Sequence, residues 1–187
     1  MIITIHGPAG SGKGTVARII AKKLKYKYYS VGDFRRLKAK ELGMTIEEYN
    51  KLGEKDSSTD KIADEWQRQL GLKEDNFVID GRTGFMFIPH SLKIFLDVND
   101  DVSAKRIFEE NNTNSKRINE EHARTVLEQK KISMQRNNSD RVRYRKWYGI
   151  KNYMDKKHYD LYIDTSNKTI NEVVSMVMNY VKKNMPR

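Results

Sequence analysis

This chain predicts an α/β fold in which a five-stranded parallel sheet is covered by helices on both faces. Three observations carry that expectation. Short, near-continuous apolar runs recur at Ile2–Ile5, Tyr26–Ser30, Phe77–Ile79, Leu92–Val98 and Asp160–Ile163. Runs without apolar–polar alternation suit strands buried on both faces, the usual condition of a parallel sheet. Helical periodicity fills the intervals between them, which is the strand–helix alternation of a layered α/β domain. Finally, a glycine-rich segment stands where the first strand gives way to the first helix. Proline occurs only at positions 8, 89 and 186, and no linker, repeat or low-complexity tract interrupts the chain. Residues 1–187 therefore read as a single domain, large enough to bury a core without covalent staples.

The first run leads into Gly7-Pro8-Ala9-Gly10-Ser11-Gly12-Lys13-Gly14-Thr15. The G-x-x-x-x-G-K spacing between a strand and a helix is that of a phosphate-binding loop. Its glycines let successive N–H groups turn toward one anion. The helix beginning near Lys13 aims its positive dipole end at the same point. Lys13 adds a charge for the β- and γ-phosphates, and Thr15 a hydroxyl for Mg²⁺ or one of its waters. The ligand predicted is a nucleoside triphosphate. A glycine-rich turn with no ligand is the alternative, and the lysine and hydroxyl argue against it. Behind the loop, Val16, Ile19, Ile20 and Leu24 form the buried stripe of a helix.

After the second strand comes Ser30-Val31-Gly32-Asp33-Phe34-Arg35-Arg36. Asp33 can cap the next helix or hold a magnesium-bound water. Arg36 is expected to point back toward the sheet edge, where its planar fork suits an acceptor phosphate. Arg35 and Arg36 read alternatively as solvated helix charges. From residue 32 to 70 there are about three helical stretches and no strand. Asp56, Asp60 and Asp64 recur there at a spacing of four, on one helical face. Charge runs are usually solvated faces, and that reading is favoured. The other reading has these carboxylates accept hydrogen bonds from a base amino group or a ribose.

The third strand ends in Asp80-Gly81-Arg82. Asp80 is the preferred acid for magnesium, directly or through water, because Arg82 brings an anion-binding group to the same strand tip; a turn aspartate before glycine is the alternative. Asp97 leads into Asn99-Asp100-Asp101, which looks like helix capping. A charged, mostly helical insertion spans 112–153, with Arg136, Arg141, Arg143, Arg145 and Lys146 around a single acid, Asp140. Arg136 and Arg143, seven residues apart, share a helical face roughly 10 Å apart along the axis. They either close over phosphates or pair with Asp140 on an ordinary exposed helix. Ile170, Val173, Val174, Val177 and Val181 form the apolar stripe of a last helix. Ligands of open α/β sheets sit beyond the C-terminal strand ends. The two helical excursions flank that edge, one as an acceptor clamp and the other as a lid.

The chain has no cysteine, which removes disulfides, thiolate metal sites and a cysteine nucleophile together. His6, His90, His122 and His158 show no metal-ligand spacing. No apolar run approaches the ~20 residues of a membrane span, and the first residues enter a strand without room for a signal peptide. A monomer in the reducing cytoplasm, with no membrane partner, is expected. The net charge of +11 suits nucleic acid, small polyphosphates or simple solubility. The phosphate loop favours the second, and without a basic-aromatic tract nucleic acid is not expected as a partner.

Together, Gly7–Thr15, Ser30–Arg36, Asp80-Gly81-Arg82 and the basic helix resemble nucleoside monophosphate kinases, and are similar above all to the short cytidylate kinase type common in archaea. The resemblance covers nearly the whole chain. It includes Gly43-Met44-Thr45-Ile46-Glu47-Glu48, the Asp60, Asp64, Gln67 series, Leu92-Lys93-Ile94 with a following Arg106-Ile107, Arg136-x-x-Ser139-x-x-x-Arg143-Tyr144, Tyr148-Gly149-Ile150, and Tyr159-Asp160-Leu161-x-Ile163-Asp164-Thr165. It implies a P-loop kinase fold, and analogy with small P-loop kinases implies strand order 2-3-1-4-5. It implies ATP and Mg²⁺, with Lys13 on the donor phosphates and Arg36 and Arg82 on the acceptor phosphate. It further implies Arg136 and Arg143 as lid arginines, Asp60 or Asp64 near a pyrimidine, and CMP or dCMP as acceptor. Three positions depart from the pattern: Gly14 where the general loop has Ser or Thr, which passes the hydroxyl role to Thr15; Asp80 in place of Glu; and Lys151 in place of Asp. A kinase for another small acceptor, and a nucleotide-binding protein gripping RNA or a partner with little turnover, are the alternatives.

Overall fold

β1 (Ile2–His6) is buried along its whole length because it lies at the centre of the sheet. β3 (Phe77–Gly81) pairs with it on one side and β4 (Leu92–Asp97) on the other. β2 (Lys27–Ser30) and β5 (Leu161–Asp164) form the edges, so the order is β2-β3-β1-β4-β5, with every pair parallel. This is the order expected from the analogy. The computed structural model describes residues 1–113 and 123–185. Residues 114–122 of the anticipated lid insertion, His122 among them, and Pro186 and Arg187 lie outside the described residues.

Two apolar layers flank the sheet. On one face Ile3, Ile5, Val78, Ile94 and Leu96 meet Val16, Ala17 and Ile20 of α1 (Lys13–Leu24) and Val173, Val174, Val177 and Val181 of α8 (Ile170–Lys183). On the other, Ile2, Phe77 and Ile79 meet Val31 of α2 (Val31–Glu41) and Ala63 and Leu70 of α4 (Ser58–Lys73). Both stripes read from the sequence therefore pack on the sheet, with Ile19 and Leu24 partly buried, except Ile170, which stays exposed at the start of α8. β3 runs past its apolar residues to Gly81, since Ile5 and His6 of β1 offer Asp80 and Gly81 backbone partners whatever their side chains.

Helix ends follow local chemistry. Thr45 and Glu48 form a capping box on α3 (Ile46–Lys55), and Thr169 and Glu172 do so on α8. α7 (Val126–Tyr148) starts on Thr125 and stops at Gly149, whose φ of 69° continues no helix. The three helical stretches anticipated between the second and third strands are α2, α3 and α4. A short α5 (Gly84–Phe87) was not expected, since four residues carry no period to read. α6 (Asp100–Thr113) follows β4, and α7 packs along both α6 and α3. Among the described residues no helix is long and apolar enough to cross a membrane.

Candidate active site

Parallel pairing brings the C-terminal ends of all five strands to one edge of the sheet, where a cleft of about 670 Å³ opens. The loop after β1 forms its floor. Gly7, Gly10 and Gly12 all have positive φ. At Gly10 (φ 71°) a Cβ would also land 2.7 Å from the Ser103 carbonyl oxygen, so glycine is required there twice over. Ser103 of α6 donates to the Ala9 carbonyl at 2.8 Å and pins the loop from behind. Lys13 folds its ammonium over the loop, 3.0 Å from the Pro8 carbonyl. Residues Ala9–Thr15 line the cleft, as the motif predicts.

Asp80 stands beside the start of α1. A Cβ on Gly14 would lie 3.9 Å from both of its carboxylate oxygens. Tyr28 of β2 donates a 2.7 Å hydrogen bond to Asp80 Oδ1. One carboxylate, an exposed hydroxyl on Thr15 and room for phosphate oxygens and waters make a donor set suited to magnesium, which keeps several waters and needs few protein ligands. No cluster of three or more acidic or imidazole groups occurs among the described residues.

On the opposite wall the sequence and the structure diverge. Ser30 caps α2 by accepting from the Asp33 N–H at 3.2 Å, and Asp33 turns its carboxylate to Arg36 at 2.5 Å. Both line the cleft. Arg35, read as a solvated charge, is instead held inward: it donates to Asp60 Oδ1 at 2.8 Å, Asn50 Oδ1 at 2.9 Å and the Thr59 carbonyl at 3.2 Å. The favoured solvated acidic face is corrected for two of its three members. Asp60 and Asp64 are buried because α4 turns that face toward α2 and α7. Only Asp56 stays outside, accepting from the Ser58 N–H at the start of α4.

Asp64 accepts from Gln67 Nε2 at 3.2 Å, Thr83 Oγ1 at 3.1 Å and the Tyr148 hydroxyl. Burial pushes its pKa from 3.8 up to about 6, despite those hydrogen bonds. A carboxyl raised in the folded state favours folding most below its unfolded value, and the advantage fades as pH rises through the folded one. The stability of Asp64→Asn relative to wild type should therefore rise between pH 4 and pH 6, as thermal melts across that range would show. A flat difference would place Asp64 in a wetter site.

Arg82 sets its Nε 2.6 Å from Asp140 Oδ2 on α7, and both residues line the cleft. Arg136 also lines it, with Nε 3.8 Å from Glu47 of α3. Arg143 does not. Only 1% exposed, it lies between Asp60 and Asp140 and hydrogen-bonds to both. The expectation that Arg136 and Arg143 act as a pair on one cleft-facing surface is thus corrected; of the exposed-helix alternative the Asp140–Arg143 pairing holds, but the pair is buried rather than exposed. Burial pushes the Asp140 carboxyl up, but Arg82 and Arg143 outweigh it and hold the group below its ordinary range.

Some cleft residues carried little sequence signal of their own. Tyr28 and Asn50 read as ordinary strand and helix residues, and Tyr144 and Arg106 entered only through the family resemblance. Arg106 donates to Thr165 Oγ1 at 3.1 Å and to the Thr165 carbonyl at 2.7 Å, which fixes its guanidinium at the loop side of the cleft. His6, at the end of β1, is wholly buried against Phe85 and Tyr159, and burial lowers its pKa to about 3, so it adds no charge beside the loop.

A phosphate loop on a five-stranded parallel sheet, facing a wall of arginines across one cleft, defines a phosphotransferase of the P-loop kinase class. Comparison with known proteins narrows that class. The chain belongs to the cytidylate kinase-like family, whose model matches residues 2–167. It is 34% identical to the cytidylate kinase of Methanocella arvoryzae over 98% of this chain and 99% of that one, and 35% identical to that of Archaeoglobus fulgidus over 97% and 95%. It is also 34% identical to an S-adenosylmethionine-dependent nucleotide dehydratase of Lacinutrix mariniflava, over 97% of this chain but only 36% of that protein's length. The fold is shared with a solved shikimate kinase from Acinetobacter baumannii (TM-score 0.61, 14% identity, 100% of this chain and 95% of that one).

Proposed function

We propose that this chain, acting as a cytoplasmic monomer, transfers the γ-phosphoryl of Mg·ATP to a nucleoside monophosphate, CMP or dCMP, giving ADP and the nucleoside diphosphate. The observation that carries this reading is the facing of a complete phosphate loop and an arginine wall with two buried carboxylates across one cleft. Residues 32–70 supply the acceptor wall and the insertion at 112–153 its cover. Full-length cytidylate kinase relatives support the acceptor class.

In this reading the loop amides and Lys13 hold the donor phosphates. Arg36 and Arg82 take the acceptor phosphate, and Arg136 reaches the transferring group from α7. Asp60 and Asp64 stand nearest the base. Thr15 and Asp80 hold magnesium, which neutralises phosphate charge and orients the donor when bound. The attacking oxygen belongs to an ionised phosphate, so no general base is needed. Catalysis rests on alignment and on fixed positive charge in a site that excludes water.

A panel of nucleoside monophosphates with ATP, read by ADP release, tests the reading. CMP and dCMP should lead the panel. Turnover confined to a non-nucleotide hydroxyl acceptor, the alternative raised by the shared fold of shikimate kinases, would replace it. Arg36→Ala and Arg82→Ala should each raise the acceptor KM by about tenfold or more and lower kcat, and lysine should rescue poorly because it lacks the planar fork. If both variants weaken ATP binding alone, the two arginines serve the donor instead.

A further inference from the structure

Five charged side chains run through the protein in strict alternation of sign: Arg35, Asp60, Arg143, Asp140 and Arg82. They come from four separate elements. Arg35 is on α2, Asp60 on α4, Arg143 and Asp140 on α7, and Arg82 follows β3. The two outer arginines and both carboxylates line the cleft, whereas the central Arg143 is sealed away from it. One guanidinium thus touches two carboxylates that each hold a further arginine at the cleft wall. A planar fork with donors on both sides bridges two acids at fixed geometry, whereas an ammonium on a flexible stem offers three donors without that fixed spread.

The path of Arg143 is prepared by a neighbouring helix. Gly53 lies inside α3, where glycine is otherwise unfavourable. A Cβ there would come within 2.5 Å of Thr59 Oγ1, 2.9 Å of Arg143 Cδ and 3.1 Å of Asp60 Oδ2. Nearby, Lys146 Nζ donates to the Glu54 carbonyl and Trp147 Nε1 to that of Gly53, each at 2.8 Å, so this end of α7 is fastened onto α3.

We infer that Arg143 is a positioning residue: it fastens Asp60 and Asp140 so that Arg35 and Arg82 are presented to the acceptor side of the cleft, and it does not itself touch the transferring phosphate. The second arm of the test below rests on the acceptor reading proposed above; the first does not.

Two variants probe the bridge. Arg143→Lys keeps the charge but removes the fork, and Gly53→Ala keeps every charge but crowds the Arg143 stem and the Thr59 hydroxyl, so Thr59→Ala serves as its control. The first arm follows hydrogen exchange at the Arg82 Nε–H by NMR of the free protein with ¹⁵N-labelled arginine. Exchange should quicken by about tenfold or more in Arg143→Lys, and by less in Gly53→Ala, as the Asp140 contact loosens. Melting curves and affinity for a non-hydrolysable ATP analogue verify folding. Should Arg143→Lys fail to fold, Gly53→Ala decides alone.

In the second arm, the CMP dissociation constant of Arg143→Lys should rise by about tenfold, while kcat at saturation changes by less than about threefold and analogue affinity is kept. A fall in kcat at unchanged CMP affinity would mean that Arg143 reaches the transferring group, and would overturn the inference. So would unchanged Arg82 exchange in a folded variant. If wild type binds no CMP, the acceptor reading fails, and the substrate-free exchange measurement still decides the role of Arg143.

Discussion

Lys13→Ala is expected to lower kcat/KM by at least about 100-fold while leaving the fold intact, because it deletes fixed charge where charge develops in the transition state. The two effects separate for a structural reason. In the free protein the Lys13 ammonium donates a hydrogen bond to the Pro8 carbonyl at the cleft floor. A single hydrogen bond from a charged donor contributes about 1.5–3 kcal/mol net. Toward a triphosphate in a site that excludes water, the same charge acts at low effective dielectric and is worth several times more. Steady-state kinetics with the best acceptor, paired with thermal melts, measure both quantities. Activity within a few-fold of wild type, in a variant of normal stability, would remove Lys13 from the mechanism.

Asp140→Ala should have the largest effect on stability. The Asp140 carboxylate is only 3% exposed and meets Arg82 and Arg143 together. Deleting it leaves two guanidiniums facing one another without their shared counter-charge. Breaking a buried pair by removing one partner costs about 3–5 kcal/mol. For a chain of this size that corresponds to a fall in melting temperature of roughly 6–20 °C. The sign of the pH dependence follows from the lowered carboxyl pKa. The stabilisation is present above the unfolded value of 3.8 and is lost as pH falls through the folded one. Melts of wild type and variant should therefore differ widely at pH 7 and converge in strong acid. A difference below about 1 kcal/mol at pH 7 would mean that Asp140 is solvated.

Features legible along the chain were those whose physics is local. The phosphate loop could be read because its glycines, lysine and hydroxyl act within nine consecutive residues. The strands could be read because burial on both faces forces near-continuous apolar runs, and α1 and α8 because a helix against a sheet needs an apolar stripe. Strand order needed analogy as well, since periodicity says nothing of which strand lies beside which. Reading failed at charged residues. Asp60 and Asp64 looked like a solvated face because a charge run carries no mark of what packs upon it.

The sequence by itself thus determined the fold class and the phosphate-loop motif, each from patterns within a few turns or strands, and the family to which this chain belongs from an ordered set of motifs along nearly its whole length. Only the tertiary structure decided which arginines face the cleft. Arg35 lines the cleft held to the buried Asp60 while its neighbour Arg36 pairs there with Asp33, and Arg143 withdrew into the protein while Arg136 stayed at the cleft. The reason is electrostatic. A buried guanidinium is tolerable only against a carboxylate, and the partners of Arg143 include Asp60, which lies 83 residues away along the chain. That pairing exists only once α4 and α7 have been brought together.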